Sequence, residues 1–112
     1  MKKVLVIEDE TVLRTALKMK LEKEFEVLTA SNGKEGLEIA LREHPDFIVL
    51  DLIMPVMGGE EFVELIHEDE WGKTSKAVVL SNLMEHEVNG YKFMLKSSTR
   101  LDDLLSYIQR HI

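Results

Sequence analysis

The apolar positions of this chain follow two rhythms that alternate along its length. Short unbroken runs at Val4 to Ile7, Phe25 to Ala30, Phe47 to Leu50, Ala77 to Leu80 and Phe93 to Leu95 predict five mostly buried strands. Between them the apolar residues recur at helical spacing: Leu13, Ala16, Leu17 and Leu21, then Leu37, Ala40 and Leu41, then Phe62, Leu65 and Ile66. A last stripe of Leu101, Leu104, Leu105 and Ile108 predicts a docked amphipathic helix at the end. Two start signals support the helices, since Asn32 with Glu35 and Thr99 with Asp102 each pair a capping oxygen with an acid three residues on.

Strand and helix alternating in this way predict a parallel sheet with helices on both faces, because parallel neighbours need crossovers that wind right-handed. The expected architecture is an open, doubly wound α/β sandwich. One connection departs from the rhythm. Asn82 to Gly90 supplies nine residues, fewer than the roughly 10 to 12 that a helical crossover takes. A full fourth crossover helix does not fit there, so that helix is expected to be missing or reduced. Extended, such a segment reaches about 30 Å, enough for a parallel fifth strand. Asn89-Gly90 is a tight-turn pair, and a hairpin is the competing topology.

At 112 residues, without repeats or linkers, the chain is expected to be one domain spanning 1–112. Its net charge of −7 opposes association with phosphate backbones and anionic lipid, so neither nucleic acid nor membrane is an expected direct partner. Cysteine is absent, which removes disulfides, thiolate metal sites and cysteine nucleophiles together. The apolar run after Met1-Lys2-Lys3 ends at Ile7, too short for a signal-peptide core, and the cytoplasm is the expected compartment.

In open α/β sheets, ligands bind beyond the carboxyl ends of the strands, so the residue after each strand carries information. The first strand is followed by Glu8 and Asp9, the third by Asp51, the fourth by Ser81 and the fifth by Lys96. Crowded carboxylates repel unless a cation compensates, and an all-oxygen set with room for water and a phosphate oxygen favours Mg²⁺. Lys96 offers fixed positive charge for a phosphoryl oxygen, and Ser81 offers a hydroxyl donor. The set describes phosphoryl transfer, with Asp51, alone on its strand end, as the candidate nucleophile. A dinucleotide or flavin site is excluded because Glu8-Asp9-Glu10 would repel its phosphates, and no GxxxxGK[ST] loop is present for a nucleotide hydrolase. A haloacid dehalogenase-type phosphatase needs a second Asp two positions after its nucleophile, where Ile53 stands.

These residues resemble the receiver domain of bacterial two-component response regulators. Val-Leu-Val-Ile-Glu-Asp-Glu at 4–10 is similar to its acidic-pair strand, and Val-Leu-Asp-Leu-Ile-Met-Pro-Val-Met-Gly-Gly at 49–59 to its phosphoacceptor motif. The resemblance implies a flavodoxin-like sheet of five parallel strands in the order 2-1-3-4-5. It implies that Asp51 takes a phosphoryl group from a histidine kinase or phosphotransfer protein and later loses it by hydrolysis, both reactions catalysed by the chain itself. It further implies that Asp9, Asp51 and the carbonyl of Ile53 ligate Mg²⁺, with Glu8 acting through a bound water. Ser81 and Lys96 would each hold a phosphoryl oxygen, and Phe93 would be an aromatic switch. Two departures stand out: the short 82–90 connection, and Lys96-Ser97 where the family usually has Lys-Pro with a cis bond. A non-proline cis bond costs about 2.5 to 4 kcal/mol, so a trans bond is expected here.

With one domain, output is expected to pass through a separate protein. The face left by the shortened crossover is expected to bind a partner, with a homodimer as one form. The alternative reading is a receiver-like interaction module that works without phosphorylation, favoured if a hairpin carries Lys96 to the wrong edge. His44, His67, His86 and His111 show no metal-ligand spacing and are expected at the surface.

Overall fold

The computed structural model describes residues 1–82, 88 and 90–112. Its strands are β1 (Lys3–Ile7), β2 (Glu26–Ala30), β3 (Phe47–Leu50), β4 (Ala77–Ser81) and β5 (Lys92–Leu95). Its helices are α1 (Thr11–Leu21), α2 (Gly33–Glu43), α3 (Gly59–Ile66) and α4 (Leu101–His111), with single 3₁₀ turns at Gly72–Thr74 and Lys96–Ser98. The strands form one sheet in the order β2-β1-β3-β4-β5, every neighbouring pair parallel. No helix among the described residues is long and apolar enough to cross a membrane.

The unbroken apolar runs arise because the central strands are covered on both faces, so neither side-chain direction can be polar. Leu5, Ile7, Ile48, Leu50 and Val79 point to one face and pack with Phe62 and Ile66 of α3. Val4, Val6, Val49, Val78 and Leu80 point to the other and meet Leu17 and Leu21 of α1 and Leu104 and Ile108 of α4. Packing, not capping, holds α1, whose N-cap Glu10 makes no side-chain cap bond. Full burial of Leu17 and Leu21 contributes about 2 kcal/mol each, which outweighs the roughly 1 kcal/mol that a cap supplies. By contrast α2 starts as expected: Asn32 Oδ1 accepts from the Glu35 backbone N–H at 2.9 Å.

Several expectations are corrected in detail. Phe25 is buried but precedes β2, β5 begins one residue early at Lys92, and Ser81 is the last residue of β4 rather than the first beyond it. The last helix starts from Arg100, whose backbone N–H donates to Asp103 at 3.1 Å, not from Thr99 with Asp102. Asp102 is instead engaged by Lys20 of α1, an ion pair joining two helices on the same face of the sheet.

The hairpin does not form. Lys92–Leu95 runs parallel to β4, with Val79 opposite Phe93 and Ser81 opposite Leu95. In this register Phe93 packs into one core and Met94 into the other, while Leu95 at the end of β5 stays exposed. The turn signal around Gly90 (φ 78°) serves a smaller loop, in which Val88 and Tyr91 form an isolated antiparallel bridge. The expected loss or reduction of the fourth crossover helix, and the adjoining face expected to pair two copies, fall on residues 83–87 and 89, outside the described residues.

His44 and His111 are exposed and stack on Trp71 and Tyr107, at ring distances of 4.7 and 4.0 Å. His67 departs from the surface expectation: it is half-buried at the end of α3, with Nε2 2.8 Å from the Tyr91 hydroxyl. His86 lies outside the described residues.

Candidate functional site at the carboxyl edge of the sheet

Because β1, β3, β4 and β5 are parallel, the residues at their carboxyl ends share one edge. Sheet pairing continues one residue past the strands: the Glu8 N–H donates to the Ala30 carbonyl at 3.0 Å and the Asp51 N–H to the Ile7 carbonyl at 3.1 Å. These bonds fix both backbones, and the two acids are buried, Glu8 at 2 % and Asp51 at 5 % exposure. Asp9, one residue further out, is exposed. Glu8, Asp9 and Asp51 each place a carboxylate oxygen within 4.8 Å of the others.

Lys96 answers the crowding. Its ammonium lies 2.7 Å from Glu8 Oε1 and 2.8 Å from Asp51 Oδ2. The remaining oxygens are also engaged, since Glu8 Oε2 accepts from the Glu10 N–H at 3.0 Å and Asp51 Oδ1 from the Leu52 N–H at 2.7 Å. Burial pushes the Glu8 carboxyl above its usual range, against the opposing pull of Lys96. For Lys96, burial acts to lower the pKa, but the hydrogen bonds to Asp51 and Glu8 outweigh it and hold the ammonium above the lysine range.

The lysine that the short connection placed in question is therefore in position, and the Lys96–Ser97 bond is trans. Asp9, Asp51, Ile53, Ser81, Asn82 and Lys96 line a cleft of about 340 Å³. Ser81 reaches it from a buried position at 1 % exposure, whereas Ile53 is 62 % exposed at its rim. Phe93 is not among the lining residues; it sits half-buried against the core shared with α2 and α3. The donor set fits a hard cation such as Mg²⁺, being all oxygen, two-thirds buried and open toward solvent at Asp9.

Two residues at this edge were not legible beforehand. Arg14, in the first turn of α1, donates from Nη1 to the carbonyls of Glu8 at 2.8 Å and Asp9 at 3.2 Å, pinning the loop that carries both acids. A single arginine on a helix looks like solvated surface, and no local pattern marks it otherwise. Asn82 sends Oδ1 to the Ser97 N–H at 3.1 Å, tying the end of β4 to the turn that bears Lys96. Its position next to Ser81 was the available signal.

An open parallel sheet of this order, with an acid cluster and a lysine closing its carboxyl edge, has the architecture of a receiver-type signalling domain. The chain belongs to the response regulator receiver domain family, whose family model matches residues 4–101. It is 40% identical over 70 residues to the alkaline phosphatase synthesis transcriptional regulatory protein PhoP of Bacillus subtilis, a match covering 62% of this chain and 29% of that protein. The chain thus spans under a third of the length of such curated relatives. Among solved structures it resembles the chemotaxis protein CheY4 of Vibrio cholerae, with a TM-score of 0.90 and 29% identity over 100% of this chain and 99% of that one. It also resembles the response regulator TrrA of Thermotoga maritima in complex with Mg²⁺-BeF, with a TM-score of 0.85 and 27% identity over 100% of both chains.

Proposed function

We propose that residues 1–112 act as one receiver unit, phosphorylated on Asp51 by a histidine kinase or phosphotransfer protein and signalling through a conformational switch. The observation that carries this reading is the convergence of Asp9, Asp51 and Lys96 on one cleft, with Glu8 buried against Lys96 and Lys96 Nζ 2.8 Å from the proposed nucleophile. Asp9, Asp51 and the Ile53 carbonyl would hold Mg²⁺, with Glu8 assisting through water. When bound, the cation supplies positive charge that offsets the acids and the phosphoryl oxygens. A relative crystallised with Mg²⁺-BeF supports this assignment.

In the proposed transfer, an Asp51 oxygen forms the new O–P bond as the P–N bond to the donor imidazole breaks. The bonding pair stays on the nitrogen, which then takes a proton. Lys96, already at Asp51 Oδ2, pairs with one phosphoryl oxygen, while the Ser81 hydroxyl donates to another. In hydrolysis, water attacks phosphorus as the Asp51 O–P bond breaks; inorganic phosphate departs, a proton of the water passes to solvent, and Asp51 is left as a carboxylate. Contacts made by Ser81 and Lys96 only in the phosphorylated form bias two conformations, and Phe93, opposite Val79 on β5 and below those arms, is the proposed reporter. A separate output protein reads the change, and the cytoplasm, where a kinase presents its phosphohistidine, is the proposed compartment.

The test is intact-mass analysis after incubation with Mg²⁺ and acetyl phosphate, comparing the native chain with Asp51→Ala. One phosphoryl adduct is expected on the native chain, only with Mg²⁺, and none on the variant. A folded native chain that gains no adduct from acetyl phosphate or from a phosphohistidine donor would overturn the proposal.

A further inference from the structure

Lys96 is held at its ammonium by Glu8 and Asp51, but its reach is set at the other end, where its backbone leaves β5. The register pairs between β4 and β5 end with Ser81 opposite Leu95. Lys96 therefore stands one residue past the ladder, at the start of a single 3₁₀ turn over Lys96–Ser98. Such a turn restrains itself weakly: its closing bond, from the Thr99 N–H to the Lys96 carbonyl, is 3.5 Å long. The opening N–H groups of a helical turn have no partner inside it. Here one of them, Ser97 N–H, donates to Asn82 Oδ1 at 3.1 Å.

That bond spans 15 residues of sequence. It joins the residue after Ser81 to the residue after Lys96, so it fixes the two proposed phosphoryl-binding arms relative to each other. A backbone N–H can only donate, which sets the orientation of the Asn82 amide: its oxygen faces Ser97. Asn82 itself also lines the cleft, beside Asp51 and Lys96.

We infer that Asn82 is a positioning residue for Lys96: its side chain extends the β4–β5 ladder by one bond and thereby sets where the lysine ammonium stands over Asp51. The inference rests on the reading of Lys96 as the partner of the phosphoryl group. Without the strap the turn can slip, the ammonium shifts against Glu8 and Asp51 at rest, and its move onto a phosphoryl oxygen is less well prepared. Asn82 acts through Ser97 and makes no bond to phosphorus.

The test compares the native chain, Asn82→Ala, Ser97→Pro and the double variant, all checked for folding by thermal melts. With acetyl phosphate and Mg²⁺, Asn82→Ala is expected to acquire the Asp51 adduct about two- to tenfold more slowly, the scale of one net hydrogen bond. Because Ser97→Pro deletes the donor, adding Asn82→Ala to it is expected to cause no further slowing. Amide exchange at Ser97 should speed up in Asn82→Ala, and the Lys96 ¹⁵Nζ resonance should move. A native rate of adduct formation in folded Asn82→Ala would overturn the inference, and so would equal slowing with and without the Ser97 donor. If the native chain forms no adduct at all, it is the Asp51 reading that fails. The strap is then judged by the Lys96 resonance, where movement in Asn82→Ala upholds it and an unmoved signal overturns it.

Discussion

The Lys96 ammonium lies 2.8 Å from Asp51 Oδ2 and, on its other side, 2.7 Å from Glu8 Oε1, so one cation is shared by two buried carboxylates. Removing the one cation that two buried carboxylates share costs more than the group contributes, because both carboxylates then lack water and partner. Lys96→Met is therefore expected to lower stability by about 3 kcal/mol. Saturating Mg²⁺ should recover a larger part of that loss than it adds to the native chain, since a bound cation takes over the role of the ammonium. Urea titrations of both proteins with and without Mg²⁺ measure this. An equal Mg²⁺ effect on the two would contradict the shared-cation account.

The same group makes opposite predictions at the two ends of the pH range. Burial raises the Glu8 pKa above its ordinary 4.5, so the folded chain takes this proton at a higher pH than the unfolded chain does. The cost of burying that charge is fully present above the folded value and is relieved as pH falls through it. Glu8→Gln should be more stable than the native chain at neutral pH, with the gap closing toward pH 4.5. Lys96 behaves conversely: its pKa is raised above 10.5, so its contribution is complete below that pH and is lost as pH climbs through the folded value. Denaturation midpoints across both windows check the signs, and a Glu8→Gln chain weaker than native at neutral pH would refute the first.

Val56, in the loop just beyond Asp51, has φ 71°, a left-handed backbone at a β-branched residue, where Cβ is crowded. The Met57 N–H reaches back to the Pro55 carbonyl at 2.8 Å, closing a tight turn around it. Backbone strain of this kind costs about 1–3 kcal/mol. Val56 is also 75 % exposed, so trimming it removes little packing. Val56→Gly is expected to raise stability by about 1 kcal/mol after the entropy of the added glycine is subtracted, read as a higher urea midpoint at unchanged slope.

Two glycines give a graded comparison. A Cβ at Gly59, the first residue of α3, would collide with the Asp51 carbonyl oxygen and the Leu52 backbone, neither of which can yield without moving the acid. At Gly36 in α2 it would meet only the side chain of Ile7, which can change rotamer. Gly59→Ala should cost about 3 kcal/mol and Gly36→Ala about 1, within the range of overpacking penalties. Only the former should slow phosphoryl uptake, because only it displaces Asp51. Equal uptake rates in the two variants would argue against this coupling.

Where a residue's role depended on burial alone, the linear pattern was sufficient. The runs at Val4 to Ile7 and Phe47 to Leu50 are unbroken because each is buried on both faces, and the acids that follow them must then lie at the sheet edge. Where two local signals competed, the pattern misled. Thr99 with Asp102 looked like a cap, but Lys20 draws Asp102 across to α1, and the adjacent Arg100–Asp103 pair opens the helix instead. Gly90 marks a real turn, yet whether it reverses a strand or only a short loop depends on what β5 packs against.

Periodicity and turn chemistry are local properties, so the elements, their alternation and the residue types at the carboxyl edge were legible along the chain. That β5 runs parallel, that Lys96 reaches both Glu8 and Asp51, and that Arg14 and Asn82 brace the loops around them came from the packed fold. Those relations depend on strand register and on the path of a crossover, which are settled by packing between segments far apart in the chain.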